Sequence, residues 1–396
     1  METKVVTAIA AGTAEQAAAE LSSEIKKKMT EEAPCLILVF ASTQQPLETL
    51  MPRFVKEFPQ TLVMGCSTAG EFTEKGDRKG SCAVYAVSGD FKVYGSMAKG
   101  IKSDLATTLQ KLVDELPREV SDYPHRTGIV LLDPLSGACE DISLLLSNLM
   151  GWDVRLAGGA AGDDLKMKET KVALGSKVSS NAVALGLIFS KKPLGVGVAH
   201  GHEPLSKPME ITKAEGNIVK EIAGRPAWEV WKEITREDNR KQGFKDTSEL
   251  TTADEIGAFL LRYEAGIPTL TQTYKVRAPL AIKPDGSIIF ACGISQGSYI
   301  RIMHSAAAKQ IESARLSASK ALQQNGGSKV AGAVVFDCIC RNLILKNQFA
   351  LALKAIRDEL GGVPIAGFET YGEIAMDAGD MSGFHNTTTV VLTFPL

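Results

Sequence analysis

Gly65-Cys66-Ser67-Thr68-Ala69-Gly70-Glu71 is echoed far downstream by Gly367-Phe368-Glu369-Thr370-Tyr371-Gly372-Glu373, and both stretches fit GxxTxGE. Each follows a short apolar run, Leu62-Val63-Met64 or Val363-Pro364-Ile365-Ala366, and so reads as a strand opening into a glycine-permitted turn. A hydroxyl and a carboxylate are presented together. Such a pair lines a polar pocket or caps the backbone at a strand end.

The surrounding pattern recurs. Val5 to Ala10 reads as a strand, Thr13 to Lys28 as a helix, Cys35 to Ala41 as a buried strand and Leu47 to Phe58 as a helix. The first motif follows, then a hairpin of Ser81 to Ser88 and Phe91 to Met97 turned at Gly89-Asp90. A second pass has a helix from Asp104 to Leu116, a strand from Gly128 to Leu132 and a helix from Glu140 to Met150. It reaches Gly158-Gly159-Ala160-Ala161-Gly162-Asp163-Asp164 and a hairpin of Asn181 to Ser190 with Leu194 to His200. A third starts with a strand at Ser298 to Met303 and a helix at Ala306 to Gln323. It continues through Ala331 to Phe336 and Gln348 to Leu360 into the second motif, and ends with a strand at Thr387 to Phe394.

Val39 precedes Gly65 by 26 residues, Leu131 precedes Gly158 by 27, and Val335 precedes Gly367 by 32. The reading is an α/β chain of internally repeated strand-helix-strand-helix-strand-hairpin units, forming mixed sheets in two domains, 1–204 and 205–396. The turn-rich, charged stretch from Glu203 to Lys275 interrupts the repeat and motivates that boundary.

The 396 residues are 44% hydrophobic and 23% charged, with mean hydropathy +0.02, as expected of a globular protein with a large core. A net charge of -2 and pI of 6.3 supply no basic footprint for nucleic acid or anionic membrane. No apolar run is long enough for a membrane span, and no secretory signal opens the chain. Seven cysteines scattered mostly in apolar runs suit reduced thiols, so the expected compartment is the cytoplasm.

Other motifs are less directive. The paired carboxylates ending Gly158 to Asp164 would repel a phosphate, and neither GxGxxG after the first strand nor GxxxxGK[ST] occurs. His200 and His202 alternate on a strand, as do Cys338 and Cys340; each is half a metal site or two buried side chains. Cys338 near Arg341 reads as a thiolate of lowered pKa, as a pocket whose Arg341 clamps a ligand carboxylate, or as an Arg paired with a neighbouring acid.

Taken together, the first GxxTxGE, Gly158 to Asp164 and Ala182-Val183-Ala184-Leu185 resemble the N-terminal FIST domain. Thr212 to Asn217, Gly224-Arg225-Pro226-Ala227, Val276-Arg277-Ala278-Pro279-Leu280, Phe336 to Arg341, the second GxxTxGE and Phe384-His385-Asn386 resemble the C-terminal FIST domain. Cys340 departs from the small residue expected there. The resemblance implies a sensory module of intracellular signal transduction that binds small molecules such as amino acids. It is joined in some relatives to kinase, chemotaxis or F-box output domains. Too few residues lie outside the matched regions for such a domain, so a separate output protein is the expected partner. The expected ligand site gathers Thr68, Gly70, Glu71, Gly158, Gly159, Asp163, Arg277, Cys338, Arg341, Gly367, Thr370, Tyr371, Gly372, Glu373, His385 and Asn386. Arg341 or Arg277 would take the carboxylate of an amino acid, and Glu71, Glu373 or Asp163 its ammonium. Relatives that bind haem as gas sensors make His385 a candidate axial ligand, and thiol-dependent catalysis at Cys338 is a further alternative.

Overall fold

Leu36–Ala41 reads LILVFA, and all six side chains are buried because both faces of the strand are covered. Leu36, Leu38 and Phe40 enter a central core, whereas Ile37, Val39 and Ala41 lie under two helices. The same division recurs around the molecule. A computed structural model describes residues 2–151, 153–269, 273–376 and 383–396.

Three chain segments supply the principal sheets. The first contains β1 (Lys4–Ala10), α1 (Ala14–Lys28), β2 (Leu36–Ala41), α2 (Leu47–Glu57), β3 (Leu62–Ser67), β4 (Glu71–Thr73), β5 (Gly76–Arg78) and β6 (Cys82–Ser88). The second contains β7 (Phe91–Lys99), α3 (Leu105–Asp114), β8 (His125–Leu132), α4 (Cys139–Met150), β9 (Arg155–Ala160), β10 (Val172–Leu174), β11 (Lys177–Ser179) and β12 (Ala182–Ser190). The third begins with β13 (Gly195–Ala199). It resumes after an inserted region with α5 (Ala307–Gln324), β14 (Val330–Cys338), α6 (Ile339–Leu345), α7 (Phe349–Glu359), β15 (Ile365–Thr370), β16 (Glu373–Met376), β17 (Phe384–His385) and β18 (Thr389–Pro395).

The strand orders are β1-β6-β2-β3-β10-β11, β7-β12-β8-β9-β16-β17 and β13-β18-β14-β15-β4-β5. Each sheet therefore takes four strands from its own segment and a small hairpin from another. This is a likeness of connectivity, distinct from the sequence repeat, which rests on GxxTxGE. Between them His202–Pro204 to Tyr299–Ser305 form a separate nine-stranded sheet, covered by the helices Ala227–Lys241 and Ala253–Leu260. Its core holds Trp231, Phe259 and Phe290.

Three pairing expectations are corrected. β6 and β7 do not form a hairpin at Gly89-Asp90: β6 already pairs with β1 and β2 on its two edges, so β7 crosses to β12. Likewise β12 lies between β7 and β8, which sends β13 to β18. The strand Tyr299–Ser305, read as opening the third unit, belongs to the nine-stranded sheet, and β13 takes that place. The three sheets enclose one core, where Phe40, Phe336 and Phe368 meet with ring centroids 4.8 to 6.4 Å apart.

Candidate functional site

The three glycine motifs meet at the centre. Gly65, Gly158 and Gly367 lie in register beside Val39, Val130 and Val335 of the neighbouring parallel strands. A Cβ on these glycines would stand 2.3, 1.9 and 1.8 Å from the valine carbonyl oxygens, which explains the residue type. Past the strand ends the motifs bond to one another. Ala69 N donates to Glu369 O (3.1 Å) and Glu369 N to Gly70 O (2.8 Å). Ala160 N donates to Gly372 O (2.8 Å) and Tyr371 N to Ala160 O (3.1 Å). Gly162 N donates to Ser67 O (2.8 Å) and Asp164 N to Thr68 O (3.0 Å), completing a ring. Gly70 faces the Glu369 carboxyl, Gly159 abuts Thr370, and Gly372, at φ +134°, lies against the Phe384 ring.

Within this ring the motif side chains hold each other. Thr68 Oγ1 donates to Glu71 Oε1, while Ser81 Oγ and N donate to Oε2 at 2.6 and 3.3 Å. Thr370 Oγ1 donates to Glu373 Oε1, while Thr388 Oγ1 and N donate to Oε2 at 2.8 and 3.0 Å. Both glutamates are completely buried, and burial pushes each carboxyl up to about 8. Asp163 accepts from Tyr371 Oη at 2.7 Å and from the amides of Met167, Lys168 and Glu169 at 2.6 to 3.0 Å. Thr68, Glu71, Asp163, Thr370, Tyr371 and Glu373 thus bond among themselves and to nearby backbone.

Arg277, His385 and Asn386 gather elsewhere, with Glu140, Lys275 and Cys292. Arg277 Nη2 donates to Glu140 Oε1 at 2.5 Å, its Nη1 reaches Phe384 O at 3.4 Å, and Lys275 Nζ donates to the same Glu140 oxygen at 3.1 Å. Asn386 Nδ2 donates to His385 O at 3.1 Å. Arg277 Nε and Asn386 Oδ1, both in buried side chains, have no hydrogen-bond partner. His385 Nε2 is 3.0 Å from Ala375 O and therefore carries the proton, while burial, Lys275 and Arg277 hold its imidazole down to about 3. Haem does not fit this arrangement through Nε2, whose lone pair is absent in that tautomer.

Arg341 forms a third group with Asp337, Gln310 and Ser313. Arg341 Nε donates to Asp337 Oδ1 at 2.9 Å, and its other nitrogens reach Gln310 and Ser313. The guanidinium is thereby turned to Asp337, and the expectation of an Arg341-activated Cys338 thiolate is not met. The neighbouring Cys340 and burial hold the Cys338 thiol well above its usual range. His200 and His202 have ring centroids 5.9 Å apart, and no cluster suited to a metal occurs among the described residues. A hollow of about 540 Å³ beside Tyr123 and Phe189 shares no residue with these groups, and its Arg126 is paired with Asp153 at 2.6 Å.

Comparison with protein families decides the relationship: the FIST N domain model matches residues 35–225 and the FIST C domain model residues 227–376. The chain belongs to the FIST family. FIST domains are associated with signal transduction and small-ligand sensing. An uncharacterized protein of Methanocaldococcus jannaschii is 21% identical over 308 residues, 74% of this chain and 58% of its own length. Uncharacterized proteins of Mycobacterium bovis and Mycobacterium tuberculosis are each 26% identical, over 201 and 199 residues. These matches cover 50% of this chain and 49% and 50% of the relatives, so the chain spans about half the length of the mycobacterial proteins.

The FIST N and FIST C regions interlock through their motifs, since β4 joins β15 and β16 joins β9. No described helix is long and apolar enough to cross a membrane. Sequence reasoning missed Glu264 of this FIST chain. It is fully buried, its Oε1 lies 2.5 Å from Thr387 Oγ1 and 3.8 Å from His202 Nε2, and its Oε2 has no partner. The available signal was a carboxylate within the buried run Tyr263, Glu264, Ala265 and Gly266.

Proposed function

We propose that this FIST protein is a cytoplasmic small-molecule sensor whose ligand is an amino acid or a related metabolite, bound at Arg277 and Asn386. The observation that carries the reading is the pair of buried, unpartnered atoms there: Arg277 Nε is a donor and Asn386 Oδ1 an acceptor. A ligand carboxylate suits the first and an ammonium the second. The Asn386 orientation follows from its other end, because Nδ2 faces the His385 carbonyl, which only accepts. Glu71, Glu373 and Asp163 are poorer ammonium partners, since their oxygens already accept from neighbouring residues. A signal would pass to a separate output protein, and the interlocked FIST N and FIST C motifs offer a rigid path for it.

A thermal-shift screen of the twenty amino acids against the full chain tests this. A ligand at about 100 times its Kd adds about 2.7 kcal/mol, a clear rise in Tm. Arg277→Gln and Asn386→Leu should each abolish the rise. No shift with any amino acid refutes the ligand class, and a shift that survives both substitutions refutes the site.

A further inference from the structure

His202 Nε2 and Glu264 Oε2 belong to side chains with no exposed surface, and neither atom has a hydrogen-bond partner. Nε2 stands 3.8 Å from the same carboxyl at Oε1. Two chain connections join this pair to Arg277 and Asn386. Ala265, the residue after Glu264, pairs with Arg277 across antiparallel strands, and Thr387, the residue after Asn386, donates its hydroxyl to Glu264 Oε1 at 2.5 Å. The neighbours decide what each orphaned atom offers. Gln310 Oε1 accepts from Arg341 Nη1, so the amide nitrogen of Gln310 is the end that meets Ser305 Oγ at 2.5 Å and His202 Nδ1 at 3.5 Å. His202 Nδ1 is then the acceptor, and Nε2 carries the proton as a free donor; burial holds this ring neutral. Glu264 Oε1 is taken by Thr387, which leaves Oε2, an oxygen that burial without a donor keeps in a protonated carboxyl. His200 differs, with both ring nitrogens engaged: Nδ1 accepts from His202 N at 3.2 Å and Nε2 meets Tyr274 O at 3.0 Å.

We propose that His202 and Glu264 read the side chain of the amino-acid ligand and select a carboxamide, that of asparagine or glutamine, an inference that rests on the amino-acid site at Arg277 and Asn386. A carboxamide oxygen accepts from His202 Nε2 and from the Oε2 hydroxyl of protonated Glu264. With Glu264 ionised, the oxygen still accepts from Nε2 and the NH2 group donates to Oε2, so the match holds in either state. Other side chains match less well. An ammonium or guanidinium sets donor against the Nε2 donor. A carboxylate brings a buried charge to a place where Arg341, the cation linked to His202 through Gln310, is already bonded to Asp337. An aliphatic side chain leaves both orphaned atoms without a partner.

Isothermal titration of the full chain with glutamine, glutamate, asparagine, aspartate and leucine tests this. One of the two carboxamides should bind about tenfold or more tightly than its own acid and than leucine. Glu264→Met and His202→Phe should each shrink that preference to about threefold or less while amino acids still bind. Glu264→Gln keeps an acceptor for Thr387 and turns an NH2 donor to the ligand oxygen, so it should hold the preference above about fivefold. A wild-type chain that binds neither carboxamide more tightly than its acid overturns the inference, whatever the variants do. So does a preference that survives in folded Glu264→Met and His202→Phe. In both cases binding that Arg277→Gln abolishes leaves the Arg277–Asn386 site standing, whereas failure of every amino acid to bind removes the two together.

Discussion

Gly367 and Val335 face each other across parallel strands so closely that a Cβ on the glycine would lie 1.8 Å from the valine carbonyl oxygen. Two further pairs, Gly65 with Val39 and Gly158 with Val130, repeat the contact in the other sheets. The neighbour is backbone in each case, so no side-chain rotation relieves an added methyl group. The strand itself must move out of register.

Gly367→Ala and Gly65→Ala are therefore expected to cost about 3 kcal/mol or more each, read as a lower denaturation midpoint. Gly257 is the control. It lies within the helix Ala253–Leu260 with nothing within 4 Å of its added Cβ, so Gly257→Ala should stabilise by about 0.5–1 kcal/mol. Equal effects at the two kinds of site would contradict the close-contact explanation.

The buried carboxyls make a pH prediction. Glu71, Glu369 and Glu373 are each raised to about 8, chiefly by burial, whereas an unfolded glutamate titrates near 4.5. The unfolded chain loses these protons first. Their contribution is thus fully present below about pH 4.5 and is lost as pH rises to about 8, by on the order of a few kcal/mol. Glu71→Gln keeps a donor toward Thr68 and an acceptor for Ser81, so it should fold and flatten this part of the urea-derived stability curve. Glu71→Ala strands the Thr68 hydroxyl and the Ser81 amide, at about 2–4 kcal/mol. An unchanged slope in Glu71→Gln would exclude Glu71 as a source.

Much of this centre was legible because glycine spacing reflects backbone register. Val39 with Gly65 and Val335 with Gly367, chosen from sequence spacing, are direct partners, and the middle pair is displaced by one residue to Val130. The turn at Gly89 was legible, but its pairing was not. A strand's partner depends on which edges other strands have already filled, a tertiary property that local alternation does not encode. The same limit applies to the polar residues. Thr68 and Glu71 announce a hydroxyl beside a carboxylate, yet whether they face a ligand or each other depends on Ser81, which arrives from the turn before β6.

Asp163 restrains a strained loop. Asp164, Leu165 and Met167 have φ between 52° and 63°, and Leu165 and Met167 are 49% and 55% exposed. Burial alone would raise the Asp163 carboxyl, but Tyr371 and three backbone amides outweigh it and hold it below the usual range. Asp163→Ala should release the loop and open thermolysin cleavage at Leu165 or Met167 in native protein, while Tyr371→Phe, which removes one donor of four, should give slower cleavage. Cleavage rates indistinguishable from wild type in Asp163→Ala would show that the loop is held from elsewhere.

Arg341 and Asp337 are both completely buried, and the pair is bonded at 2.9 Å with Thr389 Oγ1 donating to the second Asp337 oxygen at 2.6 Å. Arg341→Met removes the charge that compensates Asp337 and leaves Gln310 and Ser313 without their guanidinium contacts. A loss of about 3–5 kcal/mol is expected. Asp337→Leu in the same chain should recover part of it, because an apolar pair avoids the isolated buried charge that either single change creates. A ligand-contacting Arg341 would behave differently: Arg341→Met would lower ligand affinity with little effect on the unliganded Tm. Chemical denaturation of the two single variants and the double variant separates these cases, and additive losses would rule out the structural coupling.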